Sequence, residues 1–316
     1  MATVTARVLL PARRGTPRLI ERKAQIDRGF GLGYAEVGDP DGHPVLYFHG
    51  IPGSRLLARA FDAPARACGA RIVALERPGC GLSDYRPAPT VADCALVVGA
   101  VADGLGIERF SALGVSGGGP YALACGRLYP ERIDAVGLVS SVGSEEEPGV
   151  LLRSSRLLVA LGRMSPRFAA AAIAVARRCP ARRPEGVLKA LEAEFAHDGV
   201  DAPEAARLLL ADLLEAFSSG GRGVAADCAR VRRWGFDPEE VRVPVYLWHG
   251  REDTNVSVAA ARRLAARLPS CRARFLPGEG HFGVLPRHGR EIVKTLVAVA
   301  SGCFRCTQIA ALMSSS

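Results

Sequence analysis

A serine between glycines is the first residue whose setting in this chain suggests chemistry. Ser116 lies in Gly114-Val-Ser-Gly-Gly118, which fits the pattern G-x-S-x-G. An apolar run precedes the pattern and a helix-like run follows it, so the serine falls at a sharp turn from strand to helix. Free N–H groups at the start of that helix can stabilise a developing oxyanion. The pattern predicts a nucleophilic serine, and the alternative is a glycine-rich turn without chemistry.

A serine hydroxyl is a weak nucleophile unless a base removes its proton and an acid orients that base. The chain has six histidines. His281 follows the last strand-like run, at the edge where open α/β sheets place their sites. The loop after the preceding strand-like run, His249-Gly-Arg-Glu-Asp253, offers two acids. From the residues alone, Glu252 and Asp253 both compete for the orienting role.

The elements that must position these residues follow an alternating pattern. Short apolar runs, the first at residues 7–10, alternate with helical patterns up to residue 143 and again from residue 242. This alternation predicts an α/β fold with a mostly parallel central sheet flanked by helices. Residues 144–241 read as helix after helix. We therefore predict an α/β core formed by residues 1–143 and 242–302, an inserted all-helical segment over 144–241, and a disordered tail over 303–316.

The inserted segment divides by charge. Its first half, residues 150–190, is rich in arginine, whereas its second half is acidic and includes Asp198, Asp212 and Glu215. We interpret the two halves as solvated helix faces that attract each other. The alternative is an arginine-rich surface that steers an anionic acyl group or contacts a membrane surface.

Composition excludes several classes of function. The 316 residues are 48% hydrophobic and contain no apolar run of about eighteen residues, so no integral membrane segment is expected. The net charge is +9, yet aromatic residues are only 6% and no nucleic-acid-binding module is visible. We expect a basic surface and no nucleic-acid partner, and the sequence leaves the oligomeric state open.

The cysteines point to a reducing compartment and to no metal. All nine are scattered, and the single CxxC pair, Cys303 and Cys306, lacks the second pair that a structural zinc site needs. No metal and no cofactor is expected. The scattered thiols predict a cytoplasmic protein, although four arginines and no acid among the first twenty residues leave an organellar targeting segment as the alternative.

Four motifs, read together with the Ser116 turn, resemble those of the α/β-hydrolase fold superfamily. They occur in the family's order and are Phe48-His-Gly-Ile-Pro-Gly53, Arg77-Pro-Gly-Cys-Gly-Leu-Ser-Asp84, His249-Gly-Arg-Glu-Asp253 and Gly280-His281. The resemblance covers roughly residues 30–143 and 240–300, and it implies that the helical insert is a cap over the site.

The resemblance also implies a role for each matching residue. Ser116, Asp253 and His281 would form the catalytic triad, which decides between Asp253 and Glu252. The backbone N–H groups of Ile51 and Gly117 would form the oxyanion hole. His49 and Gly50 would shape the site, and the loop from Arg77 to Asp84 would also shape it without taking part in the chemistry.

A serine at this turn, where some family members carry an aspartate, implies attack on an acyl carbon. The implied function is a metal-free serine hydrolase that cleaves a carboxylic ester, or a related small acyl compound, through an acyl-enzyme. The alternatives are a C–C bond hydrolase or thioesterase with the same triad, and a ligand receptor with little turnover. Gly-Val-Ser-Gly-Gly differs from the G-G-S-W-G of prolyl aminopeptidases, which argues against that branch.

Overall fold

A computed structural model describes residues 19–143, 184–200 and 203–302. Within them a single sheet has the strand order β1-β2-β4-β3-β5-β6-β7-β8. The pairs β1–β2 and β2–β4 are antiparallel and the other neighbours are parallel, so the predicted mostly parallel sheet is confirmed. The strands are β1 Ile20–Asp27, β2 Phe30–Gly38, β3 His43–Phe48, β4 Ala70–Leu75, β5 Phe110–Val115, β6 Ile133–Val139, β7 Val245–Gly250 and β8 Cys271–Leu276.

Helices cover both faces of this sheet. The described helices are α1 Asp62–Cys68, α2 Val91–Ala95, α3 Val97–Gly104, α4 Gly119–Leu128, α5 Pro184–His197, α6 Pro203–Ala216, α7 Arg222–Arg230, α8 Val258–Arg267 and α9 Val284–Ala300. One buried cluster joins the sheet to α2, α3, α4 and α8, and a second joins it to α1 and α9. Strands buried on both faces carry continuous apolar runs, as in residues 135–139 of β6.

The helical insert lies between β6 and β7, which are adjacent in the sheet. Helices α5, α6 and α7 all belong to it, as the sequence predicts. No described helix is both long enough and apolar enough to cross a membrane. The strand predicted at residues 7–10, most of the arginine-rich half of the insert, and the tail with Cys303 and Cys306 lie outside the described residues.

Several element boundaries differ from those that the sequence predicts. The edge strand β1 is not predicted, and it pairs antiparallel with β2. The helix predicted over 55–68 is a 3₁₀ turn, Arg55–Phe61, followed by α1. The last helix begins at Val284 rather than at 287, because Pro286 lies in its first turn, where a missing N–H costs no helical hydrogen bond.

The interpretation of the acidic half of the insert as a solvated face is wrong for Asp212. This residue of α6 is only 1% exposed. Its Oδ1 accepts hydrogen bonds from Ser54 Oγ at 2.6 Å and from the backbone N–H of Leu57 at 3.0 Å. Asp212 therefore satisfies free N–H and O–H donors at the start of the 3₁₀ turn Arg55–Phe61, and it joins the insert to the core.

Candidate active site

The turn between β5 and α4 holds Ser116 in an unusual backbone conformation. Its φ is +52°, in the left-handed region that non-glycine residues rarely adopt. Nearby segments approach so closely that a Cβ on Gly114 would lie 2.6 Å from Gly118 O. Glycine is required at position 114 for this reason, and the turn presents the serine side chain at the carboxyl end of β5.

The structure brings together the serine, histidine and aspartate that the sequence singles out. His281 Nε2 lies 3.2 Å from Ser116 Oγ, and His281 Nδ1 lies 2.8 Å from Asp253 Oδ2. Ser116 follows β5, Asp253 follows β7 and His281 follows β8. The carboxyl ends of these strands meet at one edge of the sheet. Glu252 is exposed and donates its backbone N–H to Glu279 O.

The surroundings of Asp253 keep its carboxylate ionised. Its Oδ1 accepts the backbone N–H groups of Asn255 and Val256, each at 2.8 Å. Burial alone would raise the pKa of Asp253, but the charge and hydrogen bond of His281 outweigh it, and the pKa is lowered from its usual value. The neighbouring His249 contacts Asp253 Oδ2 at 3.4 Å and Val256 O at 2.9 Å through Nε2.

The loop after β3 packs directly against the serine turn. A Cβ on Gly117 would lie 2.6 Å from Ile51 Cγ1, and a Cβ on Gly50 would lie 3.6 Å from Ser116 Cβ. Ile51 is 8% exposed and His49 is fully buried. Burial and the nearby Arg77 charge hold the pKa of His49 well below its usual value, so this imidazole is neutral. Ile51 and Gly117 are thus adjacent beside Ser116.

Arg77 and Asp227 lie beneath this loop, and sequence reasoning assigned neither of them a specific role. Arg77 Nη1 donates to His49 O at 2.6 Å and Arg77 Nη2 donates to Gly50 O at 2.6 Å. Its Nε donates to the carboxylate of Asp227, which belongs to α7 of the insert. Arg77 stands in the R-P-G motif, which is a signal for the site, but no pattern around Asp227 distinguishes it from a surface acid.

The insert also contacts the loop that carries His281. Asp198 Oδ2 accepts the backbone N–H of Phe282 at 2.7 Å. The rings of Phe195 and Phe282 lie 5.3 Å apart, and the Phe282 ring meets the His281 imidazole edge-on at 5.2 Å. Residues of the insert therefore touch both the loop after β3 and the loop after β8.

This arrangement suits proton transfer from a serine hydroxyl to an imidazole whose other nitrogen faces a carboxylate. Across residues 19–143, 184–200 and 203–302, no cluster of three His, Cys, Asp or Glu side chains is arranged to hold a metal ion.

The curated proteins that resemble this chain in sequence match only part of its length. Proline iminopeptidase from Neisseria gonorrhoeae is 35% identical over 105 residues, which is 32% of this chain and 33% of that protein. The acetyltransferase component of the acetoin cleaving system from Pseudomonas putida is 32% identical over 126 residues, 40% of this chain and 34% of that protein. The chain thus aligns with about a third of the length of these curated relatives.

Similarity in structure extends over most of the chain. A thermophilic esterase from Thermogutta terrifontis matches with a TM-score of 0.65 at 20% identity, over 89% of this chain and 99% of that one. The enol-lactonase from Burkholderia xenovorans matches with a TM-score of 0.61 at 19% identity, over 88% of this chain and 99% of that one. A model of the alpha/beta hydrolase fold matches residues 43–287. The chain therefore belongs to the alpha/beta hydrolase fold family.

Proposed function

We propose that this protein is a serine hydrolase that cleaves a carboxylic ester, or a related small acyl compound, through an acyl-enzyme on Ser116. The observation that carries the proposal is the chain of contacts from Ser116 Oγ to His281 Nε2 at 3.2 Å and from His281 Nδ1 to Asp253 Oδ2 at 2.8 Å. The strained backbone of Ser116 supports it, since such strain is concentrated at functional sites.

In this mechanism His281 accepts the Ser116 proton as Oγ attacks the acyl carbon. The tetrahedral intermediate then collapses, and His281 returns the proton to the departing alcohol. Water next attacks the acyl-enzyme with His281 again as base, and release of the acid restores the serine. Asp253 holds the imidazole tautomer throughout and stabilises the imidazolium.

The oxyanion formed in each half-reaction needs hydrogen-bond donors close to Ser116. We assign the backbone N–H groups of Ile51 and Gly117 to this role, because the two residues are adjacent beside the serine. Gly117 is also the first residue after Ser116 at a 3₁₀ turn that leads into α4, where N–H groups lack intrahelical acceptors. His49 and Gly50 shape this loop.

The insert over 144–241 acts as a cap in this proposal. The contacts of Asp198 with Phe282 and of Asp212 with Ser54 support it, since they join the insert to loops on either side of the serine. The core is then formed by residues 1–143 and 242–302.

A p-nitrophenyl ester series of increasing acyl length tests the activity, together with a fluorophosphonate probe followed by mapping of the labelled residue. Ester turnover with labelling at Ser116 is expected. Turnover of thioesters, or of C–C bonds next to carbonyls, in place of esters would instead support one of those two chemistries on the same triad. Binding of acyl compounds without turnover or labelling would point to a receptor.

The partial similarity to proline iminopeptidase gives a second candidate, an aminopeptidase that releases N-terminal proline. Against it stands the elbow sequence Gly-Val-Ser-Gly-Gly. Proline p-nitroanilide separates the two functions, and we expect its hydrolysis to be negligible beside that of esters.

Gly117→Ala should lower kcat by about 10²-fold, the loss expected when one oxyanion donor is misplaced. The new Cβ would lie 2.6 Å from Ile51 Cγ1, so the two donor residues must move apart. Steady-state kinetics on a p-nitrophenyl ester measure the change. Gly104→Ala is the matched control, because a Cβ there meets nothing within 4 Å. Equal activity of the two variants would argue against Gly117 as a donor.

Ester turnover should be insensitive to chelators. In the proposed mechanism the nucleophile is activated by His281 and the oxyanion is stabilised by N–H groups, so no step requires a metal ion. Dialysis against EDTA, followed by the ester assay, is expected to leave kcat and KM unchanged. Loss of turnover that a divalent ion restores would contradict this mechanism.

A further inference from the structure

Arg77 contacts two consecutive carbonyl groups of the loop after β3. Its side chain is 3% exposed, and its Nη1 and Nη2 donate to His49 O and Gly50 O, each at 2.6 Å. The planar fork of an arginine fixes the directions of its donors, so the two carbonyls are held in a defined orientation.

The orientation of the Gly50 carbonyl also determines where the Ile51 N–H points. Both groups belong to one planar trans peptide unit, in which C=O and N–H point in opposite directions. With Gly50 O turned toward Arg77, the Ile51 N–H must point away from Arg77. Among the described residues, none accepts a hydrogen bond from this N–H.

Gly50 cannot hold this peptide unit without help. A glycine adopts a wide range of backbone conformations, so the orientation of this peptide unit depends on the partners of its carbonyl group. Gly50 O lies 2.6 Å from Arg77 Nη2 and 2.9 Å from His49 Nδ1, and Arg77 Nη2 also lies 2.9 Å from that ring nitrogen. The Arg77 guanidinium thus contacts both the carbonyl and its other neighbour, and we infer that it keeps the peptide from rotating.

Arg77 is itself anchored by the insert. Its Nε donates to Asp227 of α7, a carboxylate that is 1% exposed and also accepts from Tyr121 Oη. Arg230 lies in the same buried cluster, where its Nη1 is 3.5 Å from Asp227 Oδ1, and its Nε donates to Ala88 O at 2.8 Å. The described contacts of Arg230 do not include the loop after β3.

We propose that Arg77, anchored by Asp227, is a positioning residue that aims the Ile51 N–H at the substrate oxyanion. Arg77 touches no reacting atom and acts through the Gly50–Ile51 peptide. This inference rests on the proposed function, because it presumes an oxyanion formed at Ser116.

The test compares Arg77→Lys with Arg274→Lys, which changes a buried arginine of β8 whose Nη1 lies 2.6 Å from Glu291 Oε2 on α9. Active sites are counted with a fluorophosphonate, so that kcat refers to folded, labelled enzyme. Arg77→Lys should lower kcat by about 10- to 100-fold, up to the loss expected for one oxyanion donor, and leave KM within threefold. Arg274→Lys should keep kcat within threefold of wild type.

A trifluoromethyl ketone provides the readout that a merely structural role would not change. Ser116 adds to the ketone carbonyl, and the resulting oxyanion lies in the same place as the oxyanion formed during turnover. Arg77→Lys should therefore raise the inhibition constant of the ketone by the same factor by which it lowers kcat/KM. A kcat per labelled site within threefold of wild type, or equal losses in both lysine variants, would overturn the inference.

Asp227→Asn provides a second variant if Arg77→Lys does not fold. It keeps the guanidinium but weakens its anchor, and we expect a kcat loss of several-fold with KM unchanged. An unchanged kcat would count against the role of Arg77. If the wild-type enzyme is not labelled at Ser116, the proposed function fails and this inference fails with it, whereas a labelled wild type with an unaffected Arg77→Lys rejects the inference alone.

Discussion

Ser116→Ala should lower kcat for ester hydrolysis by more than about 10⁴-fold, the loss found when a triad nucleophile is removed. Among the described residues, Ser116 Oγ is the hydroxyl within hydrogen-bond distance of the His281 imidazole, at 3.2 Å, so we expect no other described hydroxyl to replace it. Folding should be intact, since alanine and serine carry the same backbone strain at a φ of +52°. Turnover of a p-nitrophenyl ester and thermal unfolding followed by circular dichroism measure the two effects.

The chain offers a matched control for this substitution. Ser111 lies on β5, the strand that leads to Ser116, is fully buried, and places its Oγ 3.0 Å from His43 Nε2. It belongs to the amino-terminal half of β5, away from the Ser116 turn. Ser111→Ala should therefore keep wild-type turnover. A Ser116→Ala enzyme that retains more than about a tenth of its turnover would show that Ser116 is not the nucleophile.

Asp253→Asn should lower kcat by about 10⁴-fold while leaving the site geometry largely intact. An asparagine amide can donate to His281 Nδ1, which favours the tautomer with a proton on Nε2, and that tautomer cannot accept the proton of Ser116. Steady-state kinetics with active-site counting measure the effect.

Glu252→Gln tests the rival acid in the same assay. Glu252 is exposed, so its substitution should leave kcat within about twofold of wild type, as expected for a surface change. If Glu252→Gln loses activity while Asp253→Asn keeps it, the assignment of the third triad residue is wrong, although the pair Ser116 and His281 could stand.

The parts of the site that follow strands were predictable because local sequence carries their signals. The glycines around Ser116 mark its position in the sequence. They are required because the backbones of Gly114 and Gly118 approach each other closely. Asp253 and His281 each follow an apolar run, and parallel strands bring the ends of such runs to one edge. The choice of Asp253 over Glu252, in contrast, came from the family resemblance.

The buried charges could not be predicted because their burial depends on partners far away in sequence. Asp212 and Asp227 are acids on helices of the insert, and their local patterns match those of surface residues. What buries them is their pairing with Ser54 and Arg77, more than a hundred positions earlier. The edge strand β1 was missed for a similar reason, since its pairing with β2 rather than an apolar pattern defines it.

The insertion between β6 and β7 has a consequence for the order in which the parts of the candidate site are synthesised. Val139 and Trp248 are paired in the sheet although the whole insert separates them. The entropic free energy of closing a loop rises slowly with its length, by only about 2 kcal/mol for an eightfold longer loop, so the finished fold tolerates the insert. During synthesis from the amino terminus, however, the ribosome produces Ser116 well before Asp253 and His281. In the proposed mechanism, a nascent chain that ends before residue 281 carries the serine without its base, and the serine becomes reactive only after β8 and the loop that follows it have joined the sheet.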